Sequence, residues 1–263
     1  MRRSLAALDV VRRVNGPGIV VLGALAAAWE LAVRTSLGNV RFLPAPTEIA
    51  QAVDVAVTED DLLGRLVHTV GVTVLGWVIA GIIGLVLGLS LGVSRTLYRY
   101  SMTSFEVARS IPPITLVPAA LLAFGFSLRM ELVLVVFGGT WPVLINAMGG
   151  ARAMSSELRD VGAMLRLTPI SQVRTLVIPA ALPSIVVGLR LSLSLCLVLA
   201  VVAEMVGNPA GVGNGLMMAR QALQPSLMFV YVILAGLLGI VLNWLFGLLA
   251  RLVAPESSER AVR

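Results

Sequence analysis

The chain has 263 residues, of which 58% are hydrophobic and 13% charged, and a formal net charge of +6. A soluble domain carries about 25% charged residues; continuous apolar runs recur here instead, which argues against a soluble enzyme or a β-barrel and for a polytopic α-helical membrane protein. All 20 basic residues are arginine, so a G-x-x-x-x-G-K-[ST] nucleotide loop, which needs its lysine, is excluded, and the scattered arginines form no nucleic-acid-binding face.

Taken in chain order, residues 1–16 carry arginines but no apolar core followed by a cleavage site, and read as a cytoplasmic tail rather than a signal peptide. A first span is expected at 17–36, with Glu30 near its outer end at the interface. Residues 37–67 form the longest outside connection. Pro46 and Glu48 suit a first helical turn, and Ile49, Ala52, Val53, Ala56 and Val57 follow on one face. The acidic Thr58-Glu59-Asp60-Asp61 ends that segment, and Leu62, Leu63, Leu66, Val67 and Val70 repeat the pattern and lead into the second span. Both stretches read as amphipathic helices on the outer membrane surface.

His68, the only histidine, opens a second span at 68–93 and reads as an interfacial side chain with no partner for a proton relay. A third span, 111–127, is short and holds Pro112, Pro113, Pro118 and Gly125. Broken backbone at membrane depth is tolerated where protein or a water-filled cavity covers it; the span either faces a pathway or is a kinked packing helix. The fourth span is 131–150, the fifth 179–206 and the sixth 228–252, followed by a tail at 253–263. Cys196, the only cysteine, reads as a small core residue; no disulfide within the chain and no metal site is expected. With the N-terminus inside, fourteen arginines fall on the cytoplasmic side and five on the outer side, with Arg190 inside a span. That bias places both termini in the cytoplasm. The chain is one six-span, all-α transmembrane domain.

Arg190 lies about 10 Å past Pro183 at 1.5 Å per residue. Intramembrane charge is costly, so Arg190 attracts an anion, pairs internally or snorkels to the surface. Glu204 is about 21 Å further along the same helix. It is out of reach of Arg190 and fits either an outer gate or a structural role.

The connection 151–178 is long for two adjacent spans and unusually charged. Glu157 to Arg166 form one short helix, with Ser155 or Ser156 as N-cap and acids in the first turn. Thr168-Pro169 restarts a helix, and Ile170, Val173, Leu176 and Val177 share one face. Pro179 and Pro183 mark the start of the fifth span. Two short helices joined by a turn suit docking into a groove of a cytoplasmic partner; an interfacial loop that snorkels its arginines is the other reading.

This stretch resembles the EAA coupling loop of bacterial ABC-importer permeases, the binding-protein-dependent inner-membrane components. Asp160-Val161-Gly162 takes the place of the Glu-Ala-Ala triplet, and Arg166 falls where that family has glycine. Ile178-Pro179-Ala180-Ala181-Leu182-Pro183 matches the closing element, and Ser156-Glu157-Leu158 the lead-in. Elsewhere Phe42-Leu43-Pro44-Ala45-Pro46, Arg109-Ser110-Ile111-Pro112-Pro113 with Pro118 and Phe124-Gly125, Pro142-Val143-Leu144-Ile145-Asn146, Gly188-Leu189-Arg190 and Ala203-Glu204-Met205 resemble the nitrate, sulfonate and taurine subfamily, in order, over residues 40–250.

The resemblance implies a type I permease fold and a permease subunit, not an enzyme. This chain would bind no cofactor; ATP and magnesium would be used by a separate cytoplasmic ATPase, docked through Glu157, Asp160, Val161, Gly162, Arg166, Ile178, Pro179 and Pro183. Solute would come from a periplasmic or lipid-anchored binding protein and pass through a bacterial inner-membrane homodimer. Pro112, Pro113, Pro118, Asn146, Arg190 and Glu204 would be the pathway or gate candidates, and a sulfonate-, taurine- or nitrate-like anion the cargo. Arginine at position 166 enters positive φ at a cost, so either Pro169 makes the break or the ATPase groove is matched to it. Two alternatives remain at this point. Gly150-Ala151-Arg152-Ala153 faintly resembles the docking helices of energy-coupling-factor transmembrane components. A stand-alone secondary transporter would need more buried acids and repeated halves.

Overall fold

The computed structural model describes residues 16–35, 42–58 and 60–253. The two expected tails therefore lie outside the described residues, except for Gly16 and Val253, which are helical. Every regular element among the described residues is helical. In order they are α1 (Gly16–Thr35), α2 (Pro46–Thr58), α3 (Leu62–Val93), α4 (Arg95–Ser110), a 3-10 turn (Pro113–Leu116), α5 (Val117–Phe124), α6 (Leu128–Arg152), α7 (Ser156–Met164), α8 (Pro169–Gln172), a π-helical turn (Val173–Val177), α9 (Ile178–Gly207), α10 (Gly211–Gln221) and α11 (Pro225–Val253). Four stretches are long and apolar enough to cross a membrane: α3, α6, the run from Ile170 to Gly207, and most of α11. A fifth forms if α4 and the Pro113–Phe124 pair, bent by 79°, count as one crossing.

The centre of the fold is the triple contact of α3, α6 and α9. Gly76, Gly84, Gly88 and Gly92 recur on α3 at multiples of four and let α6 approach closely, as small residues do between membrane helices. A Cβ at Gly88 would sit 2.5 Å from the Leu144 carbonyl oxygen, and one at Gly84 2.9 Å from that of Thr140. On the other face of α6, Gly139 meets Ser192 and Cys196 of α9. Ser192 donates to the Gly139 carbonyl at 2.6 Å. Cys196 is fully buried there, the small core residue its setting implied. Trp77 of α3 ties across to α9 by donating Nε1–H to the Leu189 carbonyl at 2.9 Å.

Around this core the structure changes several sequence expectations. The stretch from Leu62 leads into the second span as expected, but as the first turns of α3 and not as a surface helix. The α2 segment does begin at Pro46, and Glu48 reaches back to accept the Ala45 N–H at 3.1 Å, which satisfies an orphan donor. Only part of its apolar face is covered: Ile49 and Ala56 are buried with Leu62, Val212, Leu227 and Tyr231, whereas Val53 and Val57 are exposed. Glu30 receives the Thr47 N–H at 3.1 Å and so pins α1 to the start of α2.

The third span is not one helix over 111–127. Ser94 ends α3 and its hydroxyl caps α4 by accepting from the Leu97 N–H at 3.1 Å. Tyr98, Met102 and Phe105 then lay one stripe of α4 on Leu91, Leu144 and Met148. Arg152 stacks on the Tyr98 ring at 3.5 Å, a cation–π contact. Pro113 and Pro118 sit in the first turns of the 3-10 turn and of α5, where a missing N–H costs nothing. Pro112 and Pro118 are exposed in the single chain, and Pro113 is half-buried beside Gly138.

Candidate functional site

Two ends of the bundle carry unusual chemistry. At one end, α7 and α8 form a helix–turn–helix. Ser155 caps α7 by accepting the Leu158 N–H at 3.4 Å. Its hydroxyl and the local backbone also hold the Glu157 carboxyl below the usual carboxylate range. Thr168 caps α8 through its Oγ1, which accepts the Ser171 N–H at 3.3 Å. The two expected caps are thus in place. Asp160 and Val161 lie within helical backbone, and their side chains fall outside the described residues. Gly162 is buried against Leu176 and Gln172, so a larger side chain there would push the two arms of the loop apart.

Of the two readings of the turn, the backbone does not take the one in which Pro169 makes the break. Arg166 adopts φ 48°, and the Leu167 N–H returns to the Gly162 carbonyl at 3.2 Å. That six-to-one bond after a left-handed residue is a Schellman motif. The arginine takes the conformation that glycine would take, with its side chain exposed. The left-handed region costs a non-glycine residue about 1 kcal/mol or somewhat more. The backbone freedom glycine adds to the unfolded chain offsets part of the relief. Arg166→Gly is therefore expected to raise hydrogen-exchange protection of the Leu167 amide about two- to fivefold, and reduced protection would mean that the arginine side chain holds the turn.

A second correction concerns the other arm. It is not a free short helix, because α8 runs through the π-helical turn into α9 without a break. Pro179 lacks an N–H, and the Ile178 N–H instead reaches the Val173 carbonyl, which widens the turn. Pro183 lies inside α9. The backbone is thus helical without a gap from α8 to the helix that bears Arg190 and Glu204.

At the opposite end, three side chains on one face of α3 meet the end of α9, the start of α10 and the start of α6. Arg65 donates to Asp60 Oδ1 at 2.8 Å and to Asn214 Oδ1 at 3.0 Å; Asp60 also receives the Tyr231 hydroxyl. Thr69 donates to Glu204 Oε2 at 3.0 Å and accepts the Val212 N–H at 2.9 Å. Glu204 Oε2 also takes the Gly213 N–H at 2.9 Å. His68 Nε2 lies 3.0 Å from Glu131 Oε2. The reading of His68 as an interfacial side chain without a partner is overturned: it faces an acid at the start of α6 that is fully buried.

Of the other expected residues, Asn146 turns back on its own helix, donating to the Pro142 carbonyl at 2.8 Å. Arg190 is exposed on α9, and among the described residues its side chain has no ion-pair partner. Glu204 is buried and does not meet it. Glu131 was missed in the sequence, although it lies seven residues before Gly138, on the face of α6 that packs inward. The α10 helix and the loop before it were missed as well.

Comparison with known proteins is consistent with this architecture. Residues 80–257 match the family described as binding-protein-dependent transport system inner membrane component. An aliphatic sulfonates transport permease of Escherichia coli is 33% identical over 82% of this chain and 82% of its own length. A nitrate import permease of Leptolyngbya laminosa is 27% identical over 77% of this chain and 72% of its own. A chain of the MetNI methionine ABC transporter, in an inward-facing conformation, superposes with a TM-score of 0.66 at 22% identity, covering 73% of this chain and 96% of that one, a likeness of fold. By the extent of that family match, the chain belongs to the binding-protein-dependent inner-membrane permeases of ABC transport systems.

Proposed function

We propose that this chain is the permease subunit of an ABC importer that carries a small oxyanion, of the sulfonate, nitrate or bicarbonate type, across a bacterial inner membrane. The observation that carries the reading is the capped helix–turn–helix of α7 and α8, continuous with α9 through the π-helical turn. A groove in a cytoplasmic ATPase would hold Glu157, Asp160 and the Arg166 turn, and ATP-driven closure of that partner would move α9 through Ile178, Pro179 and Pro183. Hydrolysis, with its ATP and magnesium, belongs to the partner. The 20 residues of α1 and the bent α4–α5 pair complete six crossings, with both termini in the cytoplasm as the arginine bias requires. The α10 end then faces the binding protein, and two copies of the chain enclose the path. The relatives' names support the cargo class: one is a permease for aliphatic sulfonates, another imports nitrate, and a bicarbonate transport system permease of Synechococcus elongatus is 31% identical over 64% of this chain and 61% of its own length.

The test is reconstitution of the chain in proteoliposomes with the ATPase and binding protein encoded beside it. ATPase activity is expected to rise at least several-fold when the loaded binding protein is added, with uptake of a sulfonate, nitrate or bicarbonate. Uptake driven by a proton gradient through the chain alone would refute the reading.

A further inference from the structure

The α10 end holds a cluster that transport by itself does not call for. His68, Glu131 and Glu204 come from three different helices, and one ligand atom of each lies within 4.8 Å of the others. The two acids are 0% and 1% exposed. Each keeps one carboxylate oxygen, Oε1, that is buried and has no hydrogen-bond partner among the described residues. Buried carboxylates in proteins are paired, protonated or bound to a metal, and an orphan buried oxygen is a place to look for an ion. The Arg65 guanidinium, on the same face of α3, is already engaged by Asp60 and Asn214.

The imidazole contributes a second argument. Asn208 Oδ1 accepts the Ala210 N–H at 3.3 Å, which fixes the direction of its amide. Asn208 Nδ2 therefore faces His68 Nε2 at 3.3 Å, while Glu131 Oε2 faces the same nitrogen at 3.0 Å. A protonated Nε2 donates to the carboxylate, and the Asn208 amide then turns to donate to the same Glu131. An unprotonated Nε2 satisfies the amide and meets the carboxylate lone pair to lone pair. A cation beside Nε2 and the Glu131 carboxylate takes up the facing lone pairs and leaves the Asn208 amide to donate to Glu131, to which it is also hydrogen-bonded. Two donors about 2.1 Å from one ion are about 3.0–3.4 Å apart, so the 3.0 Å between Nε2 and Oε2, also the length of a hydrogen bond, needs little change to admit one.

We propose that His68, Glu131 and Glu204 bind one divalent transition-metal cation of the zinc or manganese class. One imidazole nitrogen and two carboxylates match the nitrogen and oxygen preferences of these ions, and two negative charges balance the cation. Thr69 and the Gly213 N–H hold the far oxygen of Glu204 in the manner of outer-shell partners. A cavity of about 410 Å³, lined by Glu204, Asn208, Asn214 and Phe126, adjoins the cluster on its Glu204 side. The ion would tie the ends of α3, α6 and α9 to the loop before α10. The geometry does not depend on the transport reading, and the binding experiment distinguishes the two.

The experiment is titration of chelator-stripped, detergent-purified protein with Zn2+ against a competing fluorescent chelator. The affinity tag must not be polyhistidine, so that His68 remains the only histidine. The expected result is one ion per chain, weakened at least tenfold in His68→Gln and in Glu131→Gln, with a thermal midpoint that rises with Zn2+ in the wild type and not in His68→Gln. His68 is partly exposed, so its variant is expected to fold even if Glu131→Gln does not. Absence of saturable binding in the folded wild type would overturn the proposal, as would equal binding by wild type and His68→Gln. Stabilisation of the metal-free protein by Glu131→Gln, in a wild type that binds no Zn2+, would instead show a shared proton in the cluster and overturn it too.

Discussion

Replacing Gly88 by leucine is expected to leave no folded permease. The position has no room to adjust, because the atoms that a Cβ would meet are backbone: the Leu144 carbonyl oxygen at 2.5 Å and its Cα at 3.1 Å, with the Ala147 Cβ at 2.9 Å. Even alanine must separate α3 from α6, and each further carbon drives them wider along a face where Gly84 and Gly92 are equally close to α6. Overpacking a side-chain contact costs about 1–3 kcal/mol. Here the helix axes themselves move, and the cost is expected to exceed about 3 kcal/mol, a large share of the roughly 5–15 kcal/mol that holds a domain together. The series Ala, Val, Leu at position 88 should show falling yield of monodisperse protein and falling thermal midpoint. Gly71 supplies the control: it lies in the same helix with nothing within 4 Å of a Cβ. Gly71→Ala should be neutral or stabilise by up to about 1 kcal/mol through backbone entropy. Equal behaviour at the two positions would show that the α3–α6 contact is not what makes glycine necessary.

The contrast between those two glycines also shows what the sequence made readable. The long apolar runs announced the helices, and the ends of the fourth, fifth and sixth spans fell within a few residues of α6, α9 and α11, because period and hydropathy are local properties. The caps of the loop, Ser155 and Thr168, were local too. What escaped was set by contacts between distant parts of the chain. Glu131 looks like an interfacial acid at the start of an apolar run; only the packing of α3 and α9 shows it buried against His68, 63 residues away. The α4 helix carries Arg95, Arg99, Glu106 and Arg109, and does not register as a span; its apolar stripe of Tyr98, Met102 and Phe105 gains meaning from Leu144 and Met148 of α6. Arg166 is the reverse case. Propensity argued against a left-handed arginine, and the demands of the turn prevailed, as they do again at Leu223, where φ is 56° and the Gln224 N–H returns to the Ala219 carbonyl.

Arg190→Gln is expected to cut uptake at least tenfold while leaving protein yield and binding-protein-stimulated ATPase activity near wild type. Arg190 is the thirteenth residue of the 30-residue α9, about 18 Å along a helix about 45 Å long, so its Cα stands near mid-depth. It is exposed in the single chain. A guanidinium facing lipid at that depth costs about 2.5–3.5 kcal/mol even by the mildest scale, which favours a placement against water, cargo or the second copy. The neighbouring chemistry agrees. Ser194, one turn further on, is exposed and receives a hydrogen bond from Asn243 of α11 at 3.0 Å, so polar groups interrupt the exposed apolar row of Val187, Leu191 and Val198 on this face of α9. A hydrogen bond from a charged donor contributes about 1.5–3 kcal/mol, and each 1.4 kcal/mol is a factor of ten in affinity. Loss of one such contact to an oxyanion is therefore enough for the predicted fall. Arg190→Lys keeps the charge without the two-pronged geometry that fits an oxyanion, and should fall between the two. The decisive comparison is uptake against stability in the same preparations. Unchanged uptake by Arg190→Gln would remove Arg190 from the path, and a lowered thermal midpoint with proportionate loss of ATPase activity would assign it to the contact between the two copies.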